Sequence, residues 1–263
     1  MSSIPVQFSI SIVSHGHRRF VVSLLHDLAQ LGRHDLEIIL TWNIFEDGSD
    51  FIGEQLPFRL TVINNLEPKG FAANHNQAFQ HCEGANFVIL NPDISLPADP
   101  FSELLNLLEQ HAPCICAPII KASDNKLEDS ARFFPSPFSL AKKAAAKIFR
   151  VEQAPDAIPD HGAVLNPDWI AGMFMVIPRR IYQNLHGLEE SYHLYYEDVD
   201  FCARARLSDI GVYVSKNAYA IHHAQRQSHK SLRYFGWHLE SAAKFFTSKA
   251  YFIYLIRKLK TGI

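Results

Sequence analysis

Three acids, Glu197, Asp198 and Asp200, stand within four positions between the apolar residues Tyr196, Val199 and Phe201. Carboxylates among such neighbours are costly unless they are solvated, paired or used in chemistry. One use is general-base catalysis, in which a carboxylate removes the proton of an attacking hydroxyl; Asp200, one turn on, would then orient or pair. The structural alternative is a helix opening at Glu197, whose first turn favours anions through the helix dipole. A second candidate is Asn91-Pro92-Asp93, directly after the apolar run Phe87–Leu90. An acid there sits at the rim of a sheet, where its oxygens suit a hard divalent cation that also binds phosphate. The same tripeptide is equally ordinary turn chemistry. His222-His223 closes a further strand-like run; an imidazole in that place is a metal ligand, a donor beside phosphate, or a structural group. Arg226, Ser228, His229 and Lys230 form a polar, basic loop that suits a diphosphate or simply water. Lys69–Asn76 opens a helix, with Gly70 allowing close backbone approach and Asn74 and Asn76 offering amides.

These groups need elements to hold them. Phe8–Val13 alternates and then runs apolar, as a strand does, and Arg18–Leu31 has the spacing of an amphipathic helix at Val21, Leu24, Leu25, Leu28 and Leu31. Leu36–Leu40, Arg59–Ile63, Phe87–Leu90 and Cys114–Ala117 read as strands, with helices near Gly70 and over Phe101–Glu109. This alternation predicts a mostly parallel sheet covered on both faces, and such sheets bind ligands beyond the carboxyl ends of their strands. The polar clusters after Val13, Ile63 and Leu90 all fall at those ends. The second half is less regular. It predicts a strand over Leu127–Phe134, a short basic helix over Phe138–Phe149 and a proline-bearing loop over residues 151–168. A strand over Trp169–Ile177, a helix over Glu197–Leu207 and short strands at Val212–Val214 and Tyr219–Ile221 follow. From about Ser228 the chain reads as helix.

Composition narrows the classes. The 263 residues are enough to bury a full core, and no apolar run reaches the roughly 18–20 residues of a spanning helix. The start has no charged leader-like region and runs directly into a strand, which argues against a signal peptide. Cys82, Cys114, Cys116 and Cys202 form neither a metal-type pair nor a disulfide framework, which suits a reducing, cytoplasmic setting. A net charge of −2 hides an asymmetry: residues 224–263 carry +7, residues 138–150 carry +4, and the remainder carries −13. An acidic body argues against a nucleic-acid binder. The aromatic and basic residues after Tyr234 suit either a helix on an anionic membrane surface or a helix packed on the core or on a second copy.

The pieces Ile12-Val13-Ser14-His15, Lys69–Asn76, Asn91-Pro92-Asp93, Trp169-Ile170-Ala171-Gly172, Gly187-Leu188-Glu189-Glu190, Tyr195–Arg204 and His222-His223 occur in this order. Together they resemble the inverting GT-A glycosyltransferases of glycosyltransferase family 2. The likeness is nearest to the rhamnosyltransferase-like branch that builds bacterial surface polysaccharides such as O-antigen. It runs from about Phe8 to Ser231. It implies an α/β GT-A fold with a Rossmann-like, mostly parallel sheet flanked by helices. Residues 1–225 would form the transferase domain, 1–120 being its nucleotide-binding half and 121–225 its acceptor and catalytic half. Residues 226–263 would form a basic, aromatic helical segment.

By position, the resemblance makes Asp198 the catalytic base with Glu197 beside it, and Asp93 and His222 the ligands of a divalent cation, Mg²⁺ or Mn²⁺. It places Ser14, His15, Asn43, Asp47, Lys69, Gly70, Asn74, Asn91, Arg226 and Ser228 on the donor side, and Trp169 and Gly172 on the acceptor side. The implied donor is a nucleoside-diphosphate sugar, dTDP- or UDP-linked and carrying rhamnose in the nearest branch. The implied acceptor is a hydroxyl of a glycan or a lipid-linked sugar, reached at the inner face of the cytoplasmic membrane. Two departures stand out. Trp42 replaces the acid that grips the nucleobase in the family, which leaves base recognition to stacking or main-chain contact, and Asn91 stands where many relatives carry an acid. A sugar- or nucleotide-binding protein that kept the fold and lost catalysis is the alternative these departures leave open.

Overall fold

A computed structural model describes residues 4–46, 56–137, 162–224 and 232–261, the last segment with side chains from Gly236 to Leu259. The first strand, β1 (Phe8–Ser14), shows how the sheet is built. Its alternation sends Phe8, Ile10 and Ile12 into one apolar layer, while Ser9 and Ser11 face the other side and find buried partners. Ser9 bonds to Glu37, and Ser11 Oγ lies 2.8 Å from His75 Nδ1. A small hydroxyl is tolerated in a sealed layer because each is satisfied there.

The remaining strands are β2 (Leu36–Trp42), β3 (Arg59–Asn64), β4 (Asn86–Leu90), β5 (Ile94–Ser95), β6 (Cys114–Ala122), β7 (Ala131–Arg132), β8 (Val164–Leu165), β9 (Trp169–Ile170), β10 (Phe174–Pro178) and β11 (Gly211–His222). The helices are α1 (Arg18–Gln30), α2 (Phe71–Phe79), α3 (Phe101–Gln110), α4 (Arg179–Asn184), α5 (Glu197–Leu207), α6 (Leu232–Thr247) and α7 (Lys249–Thr261). Nine strands form one sheet in the order β3-β2-β1-β4-β10-β6-β11-β5, with β8 on β11. Strands β1 to β4, β6 and β11 share a direction; β10, β5 and β8 oppose it. This is the mostly parallel, helix-flanked α/β sheet expected. α1 and α3 seal one face, and α2, α4 and α5 the other.

Several elements differ from the sequence expectation for identifiable reasons. The apolar run Trp169–Ile177 is not one strand: it turns at Ala171-Gly172-Met173, so that β9 pairs with β7 while β10 enters the main sheet. Only Ala131–Arg132 of the stretch 127–134 is strand. Val164–Leu165, inside the expected loop, joins β11 as a short edge strand. The two short strands expected over 212–221 are one strand, β11, which carries an irregularity between Ser215 and Tyr219 against β6. The C-terminal helix breaks at Ser248 into α6 and α7. Both pack on α5 in a third cluster around Tyr196, Val199, Phe245 and Tyr251. The expected helix over 138–149 and the loop of Arg226 and Ser228 lie outside the described residues.

Candidate functional site

The sheet's direction gathers the chemistry on one edge. The carboxyl ends of β1, β2, β3, β4, β6 and β11 carry Ser14, Asn43, the 65–70 loop, Asn91–Asp93, Ala122 and His222. Because β10 runs the other way, with Phe174 opposite Leu90, its amino end brings Gly172 to the same edge. Asn91 N–H donates to Met173 O at 2.9 Å, tying the Asn91-Pro92-Asp93 turn to the Gly172 turn.

Asp93 and His222 meet because β5 pairs with β11, Ile94 opposite His222, and His223 N–H donates to Asp93 O at 2.8 Å. His222 Nε2 lies 3.3 Å from Asp93 Oδ2. Its other ring nitrogen, Nδ1, is 2.8 Å from Glu128 Oε2, a residue not anticipated from sequence. Glu128 is held there by its own N–H, which donates to Ile120 O in β6, so the contact comes from the β6–β11 register rather than from any local motif. Burial alone would depress the His222 pKa; the two carboxylates outweigh it and push it up to about 9. Asp93 Oδ1 is buried and has no hydrogen-bond partner among the described residues. Among the described residues no group of three or more His, Cys, Asp or Glu side chains is arranged to hold a metal. A two-ligand site still fits a cation that takes its remaining oxygens from phosphate and water. The orphaned Asp93 oxygen and an imidazole whose Nδ1 has its own acceptor are groups that could supply those two ligands.

Glu197 and Asp198 open α5, preceded by Tyr195 and Tyr196 at φ +71° and +69°. Two consecutive left-handed residues with bulky side chains are strained and persist only where surrounding packing imposes them. Tyr196 is held against Phe245 with ring centroids 5.6 Å apart. Asp198 Oδ2 accepts the Gly172 N–H at 2.9 Å and Oδ1 accepts the Val199 N–H at 2.8 Å. Glu197 is buried, and its Oε2 lacks a partner. Desolvation and then the neighbouring Asp198 charge push the Glu197 pKa up to about 8. Desolvation also raises that of Asp198, opposed by its two amide donors and by Arg132. Burial thus disfavours charge on both carboxyls, and the amide donors favour it at Asp198. Gly172 is required by close approach: a Cβ there would sit 3.3 Å from the Phe71 ring and 3.5 Å from Asp198 Cβ. The Trp169 indole donates to Phe133 O at 3.1 Å, and the Arg132 guanidinium lies 5.5 Å from its ring centre. Asp200 is not at the site edge; it pairs with Arg204 at 2.7 Å.

On the donor side, Asn43 is a buried hub. Its Oδ1 accepts from Lys69 N–H (2.8 Å) and Asn65 Nδ2 (2.9 Å), and its Nδ2 donates to Lys69 O (2.9 Å) and lies 3.1 Å from His15 Nδ1. Ser14 Oγ accepts from His17 N–H at 3.1 Å, and His15 is exposed. Lys69 is exposed beside Gly70, which precedes α2, and lines an open depression of about 530 Å³ with Asn64–Pro68 and Gln77. Glu46, also unanticipated, accepts the amides of Gly16 and Arg18 at 2.9 Å each. Asn91 is half-buried; Asp47, Arg226 and Ser228 lie outside the described residues. Two expectations need correction. Asn74 is fully buried, and its amide is spent on Lys69 O, Gly70 O and Asn65, so it builds the turn rather than facing a ligand. Trp42 is 3% exposed within the core, so its ring is not presented for stacking.

The arrangement invites comparison with known proteins. The sequence model described as Glycosyl transferase family 2 matches residues 9–165. The chain is 24% identical over 253 residues to "Rhamnosyltransferase WbbL" of Escherichia coli K12, covering 91% of this chain and 92% of that protein. It is 24% identical over 159 residues to "Low-salt glycan biosynthesis hexosyltransferase Agl10" of Haloferax volcanii, covering 58% of this chain and 48% of that protein. Its fold is similar to the mannosyltransferase PcManGT of Pyrobaculum calidifontis, solved with GDP-Man and Mn²⁺. The TM-score is 0.65 at 14% identity, over 94% of this chain and 66% of that one.

Proposed function

The chain belongs to glycosyl transferase family 2 and is a glycosyltransferase, and from that membership we propose that it moves a sugar, rhamnose by its likeness to WbbL, from a nucleoside-diphosphate donor to a hydroxyl of a glycan or lipid-linked acceptor. Transfer is a single displacement that inverts the anomeric carbon. The acceptor O–H bond breaks as its proton passes to Asp198. The acceptor oxygen bonds to the anomeric carbon, and the sugar–phosphate bond breaks with its electron pair leaving on the nucleoside diphosphate. Asp93 and His222 would hold a divalent cation, and that cation would supply charge neutralisation for a diphosphate leaving group. Asn43, Gly70 and Lys69 shape the donor side, with base recognition through main-chain groups since Trp42 is sealed in the core. Trp169 and Arg132 wall the acceptor side. The product belongs to surface polysaccharide, of which O-antigen is one form, and the enzyme works at a membrane surface.

The observation that carries this reading is the Asp198 carboxylate, held by the Gly172 and Val199 amides beside the buried Glu197 carboxyl. A general base must be oriented toward the proton it removes, and these two donors favour one orientation and the charged form of Asp198. The test is incubation with dTDP-, UDP- and GDP-sugars, with Mg²⁺ or Mn²⁺ and a lipid-linked or oligosaccharide acceptor, reading nucleoside diphosphate release and acceptor mass. One donor should support transfer, and Asp198→Asn should abolish it while leaving donor binding intact. Full transfer by Asp198→Asn would remove the base assignment, and donor binding without transfer by the parent would favour a binding protein on this fold.

A further inference from the structure

The last helix, α7, has two apolar faces, and among the described residues only one is packed into the fold. Tyr251 is buried against Phe245, with ring centroids 5.1 Å apart. Tyr254 meets Phe134 edge-on at 4.8 Å and donates its hydroxyl to Asp168 at 3.4 Å. The other face carries Phe252, Leu255, Ile256 and Leu259, spaced i, i+3, i+4, i+7, and they are 64%, 37%, 38% and 84% exposed. Scattered apolar residues on a surface need no explanation, but a helical stripe does. No helix among the described residues is long and apolar enough to cross a membrane, so an apolar face of this kind is suited to lying in an interface.

Charge identifies what covers it. From Ser241 to the end the sequence has five cations, Lys244, Lys249, Arg257, Lys258 and Lys260, and no acid. A second copy of this chain would set five like charges against these. An anionic phospholipid surface supplies the complement, and cations flanking an apolar stripe are the pattern by which a helix binds one. The helix's inner face packs on α5, whose first turn holds Glu197 and Asp198, and on Asp168 beside Trp169. We propose that α7 is a lipid-docking helix that inserts Phe252, Leu255, Ile256 and Leu259 into an anionic bilayer interface. The docking stands apart from the transfer chemistry and deepens only the membrane-surface part of the proposed function.

The experiment uses the full chain with vesicles of phosphatidylcholine alone and with about 30% phosphatidylglycerol, and needs no donor, so its failure is separate from a failure of transfer. The protein should sediment with the anionic vesicles only, and added salt should weaken the association. Phe252→Ser with Leu259→Ser, the two most exposed positions, should reduce partitioning by about tenfold or more, with unchanged circular dichroism and unchanged donor-dependent nucleoside diphosphate release on a soluble acceptor. In parallel, sedimentation velocity should show the same oligomeric state for parent and variant. Equal vesicle binding by parent and variant, no binding by the parent, or a dimer that the variant dissolves would each overturn the proposal.

Discussion

Glu128 Oε2 lies 2.8 Å from Nδ1 of His222, and the opposite ring nitrogen faces Asp93 at 3.3 Å. The carboxylate accepts the Nδ1–H, so that Nε2 would present its lone pair once its own proton is displaced by a cation, the usual service of an outer carboxylate to a ligating histidine. Glu128→Ala should therefore weaken Mn²⁺ binding by roughly 10–100-fold. Glu128→Gln, which can still accept the Nδ1–H, should lose less. Titration calorimetry with Mn²⁺ and the nucleoside diphosphate reads both. Equal affinity in Glu128→Ala and the parent would reduce Glu128 to a surface contact.

Glu197 ties stability to pH. Its pKa rises from the ordinary carboxylate range to about 8 in the fold, so between those values the native state holds a proton that the unfolded chain releases. The resulting stabilisation is fully present below about pH 4.5 and is lost as pH climbs through 8. Glu197→Gln keeps the shape without the titration. The difference in unfolding free energy between parent and variant should swing against the parent by a few kcal/mol, order of magnitude, across that window. Urea unfolding at several pH values measures it, and parallel pH profiles for the two proteins would contradict the buried-proton reading.

How far the sequence reveals this molecule depends on what fixes each feature. The period-2 alternation of β1 and the helical spacing of α1 are local, and both are read correctly to within a residue or two. Asp93 and His222 could be singled out as residue types at strand ends, but their meeting depends on β5 pairing with β11. Glu128 was invisible because its place beside His222 follows from sheet register, 94 residues away. The turn at Ala171-Gly172-Met173 was hidden inside an apolar run because it is imposed from outside, by Asp198 and Phe71 closing on Gly172. In β11, polar Lys216 and Asn217 read as a gap, yet the strand continues because β6 offers partners on both sides of the irregularity. Trp42, in place of the family's acid, left base recognition open between stacking and main-chain contact; its burial places it in the core.

Asn76 should prove structural rather than ligand-binding. Its Oδ1 accepts from Leu188 N–H at 2.9 Å and Tyr182 Oη at 2.6 Å, and its Nδ2 donates to Leu188 O at 2.8 Å. This clamp holds the turn at Gly187, whose φ of +69° suits glycine; a side chain there would overlap Asn76 Oδ1. Asn76→Ala strands several half-buried polar groups and should cost about 2–4 kcal/mol, with the affinity for donor nucleotide unchanged in the folded fraction. Chemical denaturation and nucleotide binding, measured on the same sample, separate the two. A variant that is fully stable but binds nucleotide poorly would place Asn76 on the donor side instead.

Gly172 lets the backbone of one turn touch the candidate base, and its substitution should separate chemistry from folding. An added Cβ meets the Phe71 ring at 3.3 Å, a distance that requires a neighbour to give by a few tenths of an ångström, while coming into ordinary contact with Asp198 Cβ at 3.5 Å. Phe71 is backed by His75, with ring centroids 4.4 Å apart, and His75 is itself buried and held by Ser11, so the aromatic side has little room. Displacement therefore falls on the Gly172 amide and the Asp198 carboxylate it orients. Overpacking of one methyl costs about 1–3 kcal/mol, while a misplaced base costs up to about a hundredfold in rate. Gly172→Ala should accordingly lower kcat by about 10–100-fold with donor KM within about twofold and a fall in Tm of a few degrees. Steady-state kinetics beside a thermal melt decide it: parent-like kcat with the same loss of Tm would mean that the Gly172–Asp198 contact serves the fold and not the proton transfer.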